Sequence, residues 1–253
     1  MSWDAGVPLA TQDFVQNLTV GNTTTGKVLV PVTPGRVMNA VTGEADLPNE
    51  GSVRQRVFQG GARVTTITAA STDSASNSLI LREGILLSQF DGQAGSGAMP
   101  VIASFGSSGT ITGQNTINRQ ANSFLTDGVQ VGDKHFIWGD SVAANNGVIV
   151  QVTAVTALAI TYNGTLLTNN AALAAGFQIY KIAQSTEYSV PANSGNSNSI
   201  PNVELLGALQ SQNRSWDQTG LSLGANGILI VSMANNVSAL PASVDVTAKA
   251  LLY

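Results

Sequence analysis

Residues 148–162 read VIVQVTAVTALAITY. Val148, Val150 and Val152 alternate with Ile149, Gln151 and Thr153, the two-residue period of a β-strand. The run reads as two strands, 148–154 and 158–162, and the same period recurs along the chain. Val28, Val30 and Val32 alternate with Leu29 and Pro31. Ile228 and Ile230 alternate with Leu229 and Val231. Val244, Val246, Ala248 and Ala250 alternate with Asp245, Thr247 and Lys249. Strands of this kind suit sheets with one face buried.

Turn residues separate the runs. Asn145-Asn146-Gly147 and Asn163-Gly164 read as hairpin turns, because Asn and Gly accept positive φ. Asp127-Gly128, Gly60-Gly61 and Asn226-Gly227 are similar breaks. Only 11–18 and 203–212 offer short helix or turn segments. Many short strands with Gly-rich turns predict an all-β protein, a sandwich or barrel.

Three stretches are distinguishable. Residues 1–112 and 184–253 read as the two halves of one β-sandwich. Residues 113–183 hold five candidate strands (124–125, 134–138, 148–154, 158–162 and 177–182) and read as an inserted small β-barrel domain. Consecutive domains are the other arrangement, but 70 residues with few strands would make a marginal C-terminal unit.

Composition excludes more than it proposes. The chain has 253 residues, 10% charged, with no cysteine, one histidine and a net charge of −4. Without cysteine there is no disulfide scaffold, thiol catalysis or thiolate metal site. A mildly acidic chain so poor in Lys and Arg is not built to neutralise phosphates, so no nucleic-acid partner is expected. The N-terminus lacks the pattern of a secretory signal, and no apolar run approaches the roughly 18 residues of a membrane span. A membrane is therefore not expected as a partner.

Catalytic groupings are scarce. A Ser-His-Asp triad would have to use His135, and no G-x-S-x-G elbow accompanies it. His135 reads instead as a surface or strand histidine. The 15 acidic residues are scattered, mostly at turns, and no facing pair stands out. Asp127, Asp133 and Asp140 could be gathered by loops around a calcium ion, but they read as turn residues. The chain is expected to be no enzyme and to hold neither metal nor cofactor.

Partner contacts have better candidates. Arg54, Arg56, Arg63 and Arg82 concentrate the sparse positive charge, and Arg54, Arg56 and Arg63 can share or flank a strand face. They read either as a docking surface for an acidic protein or as a solvated face. Trp3 suits insertion into a neighbouring subunit, or packing on its own core. The apolar ending 250–253, with Leu252 and Tyr253, suits a sheet strand or a subunit contact.

Residues 122–182 resemble a pattern found in virion proteins of tailed bacteriophages. Phe124, Asp127, Gly128, Val131, Gly132, Asp133, Asn146, Gly147, Val152, Thr153, Ala154, Thr156 and Ile160 carry the resemblance. It covers about a quarter of the chain. Residues 57–84 and the closing VDVTAKALLY look like strands of a phage-type jelly roll. The resemblance implies a capsid decoration (cement) protein, a homo-oligomer with a trimer favoured, bound to the major capsid protein or another virion protein. It would be made in the bacterial cytoplasm and located in the virion. The same resemblance extends to tail, baseplate, neck and fibre proteins. A glycan-binding or glycan-degrading protein is a further alternative.

Overall fold

The computed structural model describes residues 12–20, 25–30, 37–39, 55–57, 62–89, 109–120, 122–173, 177–196, 201–205, 221–223, 227–238 and 241–252. Apart from a 3₁₀ turn at Ala143–Asn145, every regular element among them is a strand. The protein is all-β, consistent with a β-sandwich. The strands are β1 (Gln12–Val20), β2 (Lys27–Val30), β3 (Val37–Asn39), β4 (Gln55–Val57), β5 (Ala62–Ser71), β6 (Asn77–Gln89), β7 (Gly109–Thr112) and β8 (Thr116–Arg119). They continue with β9 (Lys134–Trp138), β10 (Ile149–Val155), β11 (Ala159–Tyr162), β12 (Gln178–Val190), β13 (Val203–Glu204), β14 (Leu221–Leu223), β15 (Gly227–Met233) and β16 (Val244–Leu252).

One sheet has the order β1-β16-β5-β13, with β14 also on β5. A larger sheet has nine strands in the order β2-β15-β6-β12-β9-β10-β11-β8-β7, and β3 pairs β4 separately. Every pair of neighbouring strands among the described residues is antiparallel: β1 and β16, for example, pair from Gln12–Leu252 to Val20–Val244. Residues 12–18 are therefore strand, not helix. Val15, Leu18, Thr19 and Val20 suit a pleated surface, and β16 supplies a partner along the whole length. Val203–Glu204 likewise pairs with β5, and residues 206–212 lie outside the described residues.

Three apolar cores follow from this order. The first lies between the two sheets. It joins Val64, Ile67 and Ala69 of β5 and Val244, Val246, Ala248 and Ala250 of β16 to Leu79, Leu81, Leu229, Val231 and Val190 of the larger sheet. The second surrounds Ile111, Ile117, Phe124, Val150, Val152, Ile160, Tyr162, Phe177 and Ile179. The third contains Leu86, Phe136, Tyr180, Ile228 and Ile230.

The third core corrects an expectation. β15 is buried at all seven positions, not on one face. Leu229, Val231 and Met233 face the first core, while Ile228 and Ile230 face the third. The six strands from β2 to β10 curl until their ends meet, and the Gly26 N–H donates to the Gly147 carbonyl at 2.8 Å. The apolar interior of that curl covers the second face of β15.

The middle of the chain continues the larger sheet. No pairing closes β7 to β11 into a separate barrel among the described residues, and β12 runs unbroken across the expected boundary at 183/184. Phe124 is not in a strand. It is buried at the start of a turn, its N–H donating to Ala157 O at 2.9 Å, and Asp127 N–H donates back to Ser123 O at 3.1 Å. The β10–β11 hairpin closes at Thr156–Ala159, where Thr156 N–H donates to Ala159 O at 2.8 Å. Asn163-Gly164 instead leaves β11 toward a segment that bonds to β7, with Asn170 and Ile111 exchanging backbone bonds. Asn145-Asn146-Gly147 belongs to a longer connection between β9 and β10, led by the 3₁₀ turn.

Candidate functional site

Three of the arginines fall on strands of different sheets. Arg56 is on β4, Arg63 on β5 and Arg82 on β6, three strands of three different sheets. Arg63 pairs in register with Ser222 and Leu251. Trp3, Arg54 and Tyr253 lie outside the described residues. Leu252 ends β16, opposite Gln12 and Ala62, in a strand with a neighbour on each side.

The three turn aspartates have separate partners. Asp127 pairs with Arg119 at 2.6 Å, and both side chains are nearly excluded from solvent. Asp133 pairs with Lys181 at 2.9 Å and accepts the Gln130 N–H at 2.9 Å. Asp140 is buried and accepts from Asn145 Nδ2 and Asn170 Nδ2, each at 2.6 Å, and from the Val142 N–H at 3.1 Å. These bonds pin the β9–β10 connection to residues 168–170, and Asn145 completes the tie by accepting the Thr168 N–H at 2.7 Å.

His135 is in a strand, as expected, and wholly buried. Its Nδ1 lies 3.0 Å from the Tyr162 hydroxyl, and Nε2 has no partner. Burial pushes its pKa down to about 4, against a smaller upward pull from Asp133. The ring is neutral near pH 7 and shut off from solvent.

The curl of the larger sheet carries the feature with most chemical potential. Strand alternation places Lys134, Phe136 and Trp138 of β9 on its concave side. Phe136 and Trp138 pack into the third core, and Lys134 lies further along, opposite Gln151. There the trough opens into a half-open cavity of about 510 Å³, lined by Ile80, Arg82, Lys134, Ile149, Val150, Gln151, Asn163, Ser185 and Glu187. Arg82 and Ser185 face each other across β6 and β12, as do Ile80 and Glu187.

Arg82 is half-buried in the cavity wall. Its Nη1 donates to Ser232 Oγ at 2.5 Å, and Ser232 is fully buried. Burial pulls the guanidinium pKa down from the usual arginine value. Ion pairs among the described residues do not include Arg82 or Lys134. Glu187 accepts from Ser78 Oγ. Asn163 Oδ1 accepts the Gln151 N–H at 2.9 Å.

Of these residues, sequence reading singled out only Arg82, and for a different grouping. The alternation Lys134-Phe136-Trp138 was the available signal. Its reach to β6 and β12 depends on long-range pairing that no local pattern encodes. No protein-family model, curated protein or solved structure matches the chain.

Proposed function

We propose that this chain is a non-catalytic structural protein of a tailed-bacteriophage virion, a decoration protein that binds the major capsid shell as a homotrimer. The observation that carries the reading is the resemblance over residues 122–182. Its residues frame the second core. Gly128, Gly132 and Gly147 take positive φ, Asp127 and Asp133 hold ion pairs, and Phe124, Val152 and Ile160 are buried. Leu125 and Leu158 are 54% and 47% exposed on two turns joined by the Phe124–Ala157 bond. Apolar side chains on adjoining turns suit a protein contact.

The test has two parts. Light scattering of the purified protein is expected to give a trimer, which binds capsids prepared without it. Densitometry of purified virions is expected to give a high copy number. A monomer without capsid affinity overturns the proposal. A low copy number moves the chain to a tail, baseplate, neck or fibre position.

A further inference from the structure

We propose that the cavity beside Arg82 binds a small hydroxylated monocarboxylate, of the chemical class of a hexuronic acid. The carboxylate is the group its arginine recognises. Arg82 is anchored at Nη1 by one bond to the buried Ser232 hydroxyl, and no hydrogen bond among the described residues engages its Nε or Nη2. A planar fork with two donors free matches a carboxylate in geometry and charge. Lys134, on β9 and separated from β6 by β12, adds a second cation to the lining.

Charge selects among anions. Two cations and Glu187 leave the cavity with one net positive charge, matched by a monoanion. A phosphate dianion would bring excess negative charge beside Glu187. The remaining lining suits a sugar-like body. Gln151, whose Nε2 donates to the Gly132 carbonyl, brings its amide oxygen, Asn163 and Ser185 bring an amide and a hydroxyl, and Ile80 and Ile149 offer apolar contact for C–H faces. A volume of about 510 Å³ is in the range of small-molecule sites. The half-open mouth would admit the acid free or as one unit of a chain.

Titration of the full-length protein with D-glucuronate, followed by calorimetry or NMR, tests this, with glucose, acetate and inorganic phosphate as comparators. Glucuronate is expected to bind at least about tenfold more tightly than each comparator, because only it presents both halves. Arg82→Gln is expected to weaken glucuronate by about tenfold or more. Lys134→Gln, an exposed position, gives a smaller loss and serves if Arg82→Gln does not fold. No glucuronate binding overturns the proposal, as does acetate or phosphate binding as tightly, or a folded Arg82→Gln or Lys134→Gln protein that retains full affinity.

Discussion

His135 and Tyr162 meet at 3.0 Å inside the second core, and both side chains are cut off from water. The folded imidazole titrates only at about 4, against an ordinary value of 6.5. Below pH 6.5 the unfolded chain takes up a proton that the folded chain refuses. The contribution of this group is therefore complete above pH 6.5, declines as pH falls toward 4, and is constant below that. The difference amounts to roughly 3 kcal/mol. Urea unfolding between pH 4 and 8 should show the slope, and His135→Phe should flatten it. An unchanged slope in that variant would reject the assignment.

Asp73 controls a lower window. Its carboxylate accepts from the Ser238 hydroxyl and from the Ser238 N–H at 2.8 Å, and these bonds hold its pKa at about 2. A depressed carboxylate stabilises the fold above its unfolded value. That contribution fades as pH falls from about 4 to about 2. Ser238→Ala should raise the Asp73 pKa and shrink the acid-dependent loss. An NMR titration of Asp73 reads the shift directly, and no change would count against the Ser238 bond as its cause.

Gly147 and Gly128 separate two costs of a side chain. Both have positive φ. At Gly128 a Cβ would meet nothing within 4 Å, whereas at Gly147 it would lie 2.4 Å from the Gly26 carbonyl oxygen. Gly128→Ala should cost about 1 kcal/mol, the conformational penalty alone. Gly147→Ala should cost about 3 kcal/mol or more, because it also breaks the contact that closes the curl. Chemical denaturation of the two variants decides it. Equal losses would show that the Gly26 contact yields freely.

Arg119 and Asp127 form a buried pair, and the guanidinium also lies 4.0 Å over the Phe124 ring centre. Asp127→Ala removes the carboxylate paired with a buried cation and should cost about 3–5 kcal/mol. The double variant Arg119→Met with Asp127→Leu should recover much of that loss. A double variant no more stable than Asp127→Ala would mean that the pair's geometry, not its desolvated charge, sets the cost.

The all-β class was legible because alternation is local. The runs at 148–154, 228–231 and 244–250 all became strands. Turns were harder. Asn163-Gly164 resembles a hairpin turn, yet Thr156–Ala159 makes the hairpin because register places Val155 opposite Ile160. Alternation also could not reveal that Ile228 and Leu229 would both be buried, since the second covering layer is supplied by β9 and β10. The cavity was illegible for the same reason: Arg82, Lys134 and Glu187 are far apart in the chain. Only antiparallel pairing brings their strands side by side.

The strands β6 and β12 pair from Asn77–Val190 to Gln89–Gln178. β6 gives Leu79 and Leu81 to the first core, Leu87 to the second and Leu86 to the third. β12 gives Tyr188 and Val190, Ile179, and Tyr180 in the same order. Together they act as a common girder. Pulling on either end of this ladder loads all three cores at once, so the chain should yield to stretching in one rupture instead of a staircase of partial openings.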